Sequence, residues 1–156
     1  RRFWYGVQCA LLVLVWHTLL QALGKNGEIM SEVEILAVKD EIQRPIPSAW
    51  RQAFREVVSS FVVHDYLISR NILGLIPVSQ DTAEQIETYI QDYGEKLVEL
   101  PEQTWDSSVC MWMESYWDVL VDLWTENEGL SDLVLKARVF ESQEGHEYQI
   151  EMVYVP

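Results

Sequence analysis

A chain of 156 residues, 49% hydrophobic and 12% aromatic, is too apolar to stay disordered and long enough to bury a core, so one folded domain is expected. Its 25 acidic residues outnumber 11 Lys and Arg for a formal charge of -14, and the excess follows the first thirty residues, where Arg1, Arg2 and Lys25 are joined only by Glu28. Such a field repels phosphate backbones and anionic membrane surfaces, which argues against nucleic-acid binding, and it attracts basic proteins; the same charge also serves plain solubility.

Residues 3–23 form an apolar run that, despite Gln8, His17 and Gln21, is just long enough to span a bilayer as a helix. Basic residues before it and acidic ones after it would orient such an anchor with its amino terminus in the cytoplasm. Ala22-Leu23-Gly24 alternatively offers the small-residue spacing of a signal-peptide cleavage site. As a third reading, Met30 opens MSEVE, an ordinary start for a soluble acidic protein, which makes residues 1–29 an over-extended reading frame. The readings stay open: a cytoplasmic protein from Met30, or a membrane-anchored or secreted one through residues 1–24. Cys9 and Cys110 have neither CxxC nor Cys/His spacing, so no disulfide framework, metal site or cofactor is expected, and a reducing compartment fits.

Residues 30–47 read as an extended lead-in to a domain at 48–156. Val33, Ile35, Leu36, Val38 and Ile42 follow neither period cleanly, leaving a short strand or a frayed helix. Arg44-Pro45-Ile46-Pro47 then stops regular structure. Ser48 is the expected N-cap of a first helix reaching about residue 65, with Trp50, Ala53, Phe54, Val57, Val58, Phe61 and Val62 as its apolar stripe. His64 beside Asp65 at its end reads first as a cap or dipole contact, since neighbouring helical side chains point about 100° apart. Residues 67–78, with Gly74 and Pro77, predict a packed apolar loop containing a short strand. Asp81 then begins a capping box, or Ser79 caps instead, for a second helix with the stripe Ala83, Ile86, Tyr89, Ile90 and Tyr93 and with Gly94 just past its end. Residues 97–100 predict a brief strand ended by Pro101.

Residues 105–139 read as three successive strands and HEYQIEMVYVP as a fourth. Trp117, Val119, Val121 and Leu123 alternate with polar or outward positions, as do Leu133, Leu135, Ala137 and Val139, which predicts the pairs Leu123–Leu133, Val121–Leu135, Val119–Ala137 and Trp117–Val139 on a buried face. Asp118 then faces Arg138 outside. A turn at Glu144-Gly145 predicts the pairs Val139–Ile150, Ala137–Met152 and Arg138–Glu151, so that Asp118, Arg138 and Glu151 form a row. Such rows usually contribute only about 0.2–1 kcal/mol per pair; the functional alternative is that carboxylates around one Arg position a ligand or partner. Trp105, Trp112 and Trp124 are placed on the face away from the first helix, either covered by the second helix or lining a groove.

The stretches PIPSAWRQAF, PVSQDTAEQIETYIQDYG, TWDSSVCMW, WDVLVDLWTENEGLSDLVL and VYVP resemble an uncharacterised bacterial family known only as a domain of unknown function, over about residues 42–156. The resemblance implies a small bacterial α+β domain, usually the whole protein, and brings no activity, cofactor or catalytic residue. The layout is also similar to NTF2-like folds and to toxin-immunity proteins, analogies that do not fix function.

The expectation is a two-layer α+β domain, with two amphipathic helices packed on a four- to five-stranded antiparallel meander sheet. No nucleotide loop, zinc spacing or nucleophile elbow is present, and no catalytic residue is designated. The expected function is non-enzymatic protein binding, of the immunity type, in which Asp118, Asp122, Trp124, Glu126 and Glu128 cover a basic protein partner. The alternative is a ligand-binding or catalytic pocket between helix and sheet, lined by His64, Asp65, Tyr89, Cys110 and Trp112. Membrane contact is expected only if residues 1–29 are translated and retained.

Overall fold

A computed structural model describes residues 33–156, and the expectations for the apolar run at 3–23 lie outside them. The first helix, α1 (Ser48–Val62), follows Pro47, whose φ of -53° sets the entry, and no side chain caps it. Ser48 is therefore the first helical residue and not the N-cap. Its N–H donates to the Ile35 carbonyl at 2.9 Å and its Oγ accepts from the Ile35 N–H at 3.0 Å, so the hydroxyl clasps the lead-in to the helix start. The helix stops at Val62 because His64 adopts a left-handed φ of 61° and the Asp65 N–H turns back to the Ser60 carbonyl at 2.8 Å. The second helix, α2 (Gln80–Tyr93), starts at Ser79, whose Oγ accepts from the Thr82 N–H at 3.2 Å, and ends at Gly94 with φ 82°.

Five antiparallel strands lie in sequence order: β1 (Arg44–Pro45), β2 (Val109–Trp112), β3 (Trp117–Thr125), β4 (Gly129–Ser142) and β5 (Gly145–Tyr154). Trp105 belongs to a 3₁₀ turn, Glu102–Asp106, and not to a strand. Leu97 makes a single bridge to Thr125 where a brief strand was expected.

The β3–β4 register matches the alternation at Trp117–Val139, Asp118–Arg138, Val119–Ala137 and Val121–Leu135. The predicted Leu123–Leu133 pair is replaced by a bulge, after which Trp124 faces Leu130. Ser131 serves the bulge, its Oγ donating to the Leu123 carbonyl at 2.8 Å and accepting from the Leu133 N–H at 3.3 Å. The β4–β5 pairing differs from expectation. Ser142 faces Gly145 across a turn at Gln143 and Glu144, so Val139 meets Tyr148, Arg138 meets Gln149 and Ala137 meets Ile150. A bulge at Lys136/Ala137 follows, with Lys136 opposite Met152.

Both helices pack on one face of the sheet. Trp50 of α1 meets Trp117 edge-on at 5.2 Å and His146 at 5.3 Å, and Phe54 meets Tyr148 at 5.6 Å. Ala83, Ile86 and Ile90 of α2 join the same cluster as Val119, Val121, Leu135, Ala137, Ile150 and Val153. Each large side chain buried there contributes about 1.5–3 kcal/mol by leaving water. The result is the two-layer α+β arrangement, and neither helix covers the opposite face of the sheet.

The edges are closed locally. Along β5, Tyr148 donates to the Gly74 carbonyl at 2.8 Å and accepts from the Ile76 N–H at 2.9 Å. Beyond the end of β2, Thr104 Oγ1 donates to the Asp122 carbonyl at 2.6 Å, the Asp122 N–H donates to Ser108 Oγ at 2.9 Å, and the Val98 N–H donates to the Trp124 carbonyl at 2.9 Å. Such caps shield these stretches of the edges from pairing with other chains.

Candidate binding surface

Because β3 alternates, Asp118, Leu120, Asp122 and Trp124 fall on the helix-free face, and the register adds Met111, Val134, Lys136, Arg138 and Met152. The expected row of charges exists with a different centre. Lys136 Nζ lies 3.7 Å from Asp118 and 3.6 Å from Glu151, and Arg138 Nε lies 2.7 Å from the other Glu151 oxygen. Glu151 reaches both cations because it sits in the β5 bulge. Arg138 also lies 4.6 Å above the Tyr116 ring. These half-buried pairs are held among apolar neighbours, and Leu130 and Met152 remain substantially exposed at the same face.

Trp124 is partly buried against the rim of the core, with its indole Nε1 enclosed and without a hydrogen-bond partner. Glu126 pairs with Lys96 at 3.2 Å, while Glu128 accepts from the Tyr93 hydroxyl at 2.6 Å and from Thr125 Oγ1 at 3.2 Å. The Glu128 carboxylate raises the Tyr93 phenol above its ordinary pKa by holding its proton. The glutamates thus pin the β3–β4 turn to the last residue of α2 and to the segment after it. Asp118 and Asp122, farther along the strand, form the acidic part of the sheet face itself.

Two tryptophans lie elsewhere than expected. Trp112 pairs with Trp117 across the β2–β3 hairpin and therefore sits on the helix side, with the ring centroids 4.5 Å apart. Trp105 is buried beside α1, with the guanidinium carbons of Arg51 and Arg55 each 5.4 Å from its ring.

The five residues expected to line an interior pocket do not converge. The space between helix and sheet is filled by apolar side chains, among them Trp50, Phe54, Val57, Trp117 and Val119 at no more than 1% exposure. Cys110 is buried in β2, its thiol 3.6 Å from the Pro45 carbonyl and pushed up to about 11 by burial. Tyr89 is exposed on α2. His64 and Asp65 line a cleft of about 200 Å³ with Tyr66, Gln80, Glu84 and Glu87. Asp65 accepts from Ser69 Oγ at 2.6 Å and from the Ser69 N–H at 2.8 Å, bonds that lower its pKa, while His64 Nδ1 lies 3.0 Å from the Tyr66 hydroxyl. Asp65 is thus committed to a turn and does not orient the imidazole. Among the described residues no group of three His, Cys, Asp or Glu side chains converges to hold a metal, and no helix is long and apolar enough to cross a membrane.

Trp112 opens onto a second and larger cleft, of about 520 Å³, with Glu41, Met111, Met113, Glu114 and Tyr116. Its residues are nearly contiguous in the run Met111-Trp112-Met113-Glu114-Ser115-Tyr116, but Glu41 arrives from the lead-in, which no local pattern links to the hairpin.

The fold and this surface define a small two-layer α+β domain. The chain belongs to the family described as Domain of unknown function (DUF7668), whose model matches residues 58–156. The match starts within α1, although β1 and the first turns of that helix are part of the same packed structure. No curated protein and no solved structure matches the chain.

Proposed function

We propose that the domain is a non-enzymatic protein-binding module for a basic partner and that the helix-free face of the sheet is its contact surface. The observation that carries this reading is the one-sided packing of the helices, which leaves Asp118, Asp122, Leu130 and Met152 on an uncovered face of a chain with a formal charge of -14. Interfaces of this kind combine an apolar centre with charges that steer the encounter, and an acidic surface selects a basic counterpart. An inhibitor that covers the basic active surface of a toxin, as immunity proteins do, is one form the pairing takes.

The test is capture of partners by the tagged full chain at low and high salt, followed by titration of the purified partner. A basic protein should bind, release with salt, and lose at least tenfold in affinity to Asp118→Asn/Asp122→Asn. Unchanged affinity in that variant sinks the assignment of the surface, and an acidic or salt-insensitive partner sinks the reading itself.

A further inference from the structure

The cleft at the β2–β3 hairpin has the chemistry of a cation site. Its charged lining residues are Glu41 and Glu114, and neither forms an ion pair among the described residues. The nearest cations are already neutralised within the molecule: Arg44 pairs with Asp40, Lys39 with Glu141 at 2.6 Å, and Arg138 with Glu151. The remaining walls are two indole or phenol rings and two thioethers, Trp112, Tyr116, Met111 and Met113. Rings of this kind attract cations through their negative faces, and unbranched thioethers adapt to the alkyl stem of a guest. The same two rings already hold cations within the molecule, with Lys39 Nζ 5.0 Å from the Trp112 centroid and Arg138 4.6 Å from that of Tyr116.

The strand beside the cleft indicates the form of the guest. The β1 ladder pairs only Arg44 with Cys110 and Pro45 with Val109, and the lead-in is bent at residues 40–42, where Glu41 reaches the cleft. Met111 and Trp112 are left without a ladder partner on that side, next to the cleft. An extended peptide can add to such an edge by main-chain hydrogen bonds while one of its side chains enters the adjoining pocket. The hairpin is fixed by its own bonds, Met113 N–H to the Tyr116 carbonyl at 2.7 Å and Ser115 N–H to the Met113 carbonyl at 2.8 Å, so the site is formed before a guest arrives.

We infer that this cleft receives a lysine or arginine side chain of an extended basic peptide, anchored by Glu41 and Glu114 and flanked by Trp112 and Tyr116. The inference rests on the reading of the domain as a binder of basic proteins and gives the partner a specific anchor at the β2–β3 hairpin, beside the Asp118 end of β3.

The experiment is an amide NMR titration of the full chain with a capped six-residue peptide alternating lysine and valine, and with its glutamate counterpart. The lysine peptide should shift the resonances of residues 111–116, and Glu41→Gln/Glu114→Gln should weaken it at least tenfold. Both glutamates are exposed, and an unchanged spectrum of the free variant verifies its fold. Glu84→Gln/Glu87→Gln on α2, outside both surfaces, should bind the peptide as the parent chain does; failure of the cleft is read in this titration and failure of the sheet-face reading in the partner titration, which separates the two. Shifts confined to other residues, equal binding of the glutamate peptide, or undiminished affinity in the Glu41/Glu114 variant would overturn the inference.

Discussion

Gln85 on α2 and Val153 on β5 exchange two hydrogen bonds, the side-chain Nε2 donating to the Val153 carbonyl at 2.8 Å and the Val153 N–H donating to Oε1 at 3.3 Å. The amide group therefore stands where a neighbouring strand would stand, and one residue both docks the helix and closes the end of the sheet. Replacing it with Ala leaves a donor and an acceptor of the edge without these partners. Gln85→Ala should cost about 1–3 kcal/mol in denaturant unfolding, and the Val153 amide should exchange with solvent faster than in the parent chain.

The other closure of that edge depends on Gly74. It has φ 79°, and a Cβ there would come 2.3 Å from the His146 carbonyl oxygen, which belongs to β5 backbone and has little room to retreat. Gly74→Ala should therefore destabilise by more than about 1 kcal/mol, combining a left-handed φ with a backbone clash. A matched change at Gly94, which also has a positive φ but open space around it, should cost less. Equal costs at the two sites would show that the close approach to His146 carries no weight.

Cys110 provides a test in alkali. Burial raises its thiol from 9.0 to about 11, so the folded protein keeps the proton after the unfolded chain has lost it. This contribution is fully present below about pH 9 and is lost as pH rises through about 11. Melts of the parent and Cys110→Ala should therefore converge between those values. With Cys9 replaced by Ser, thiol reagents at pH 8 should modify Cys110 only at the rate of unfolding.

The layers and the buried face of β3 were legible because side chains alternate strictly along a strand, so Trp117, Val119, Val121 and Leu123 identify the inner face without further information. The same regularity hides a slip by two residues. Pairing Arg138 with Glu151 or with Gln149 leaves the side chains as far as Ile150 on the same face, so the alternation could not distinguish a turn at Glu144-Gly145 from the one at Gln143 and Glu144; only past the bulge does Met152 move to the helix-free face. Counting parity through the hairpin loop places Trp112 on the wrong face; the observed pairing of Trp112 with Trp117 joins an even position to an odd one. Ser48 has the composition of a cap, but its hydroxyl serves Ile35, thirteen residues upstream. The cleft at the hairpin depends equally on a distant arrival, that of Glu41. Local patterns report faces and helix ends, whereas these contacts depend on where the lead-in crosses the finished fold.

Asp65 gives the last test, at the opposite end of the pH scale. Its carboxylate accepts from the hydroxyl and the N–H of Ser69, which lowers its pKa below the usual 3.8 and fixes the turn after the left-handed His64. A group whose folded pKa is depressed stabilises the fold above its unfolded value and loses that contribution as pH falls through the folded one. The site is partly exposed, so solvent screening limits the effect to about 1 kcal/mol or less. At neutral pH, Asp65→Asn should be less stable than the parent by that amount, and the two should become equal in acid, below the ordinary carboxylate range. A difference that persists unchanged at low pH would assign the loss to side-chain shape. In that case the Ser69 bonds would owe nothing to the charge of Asp65.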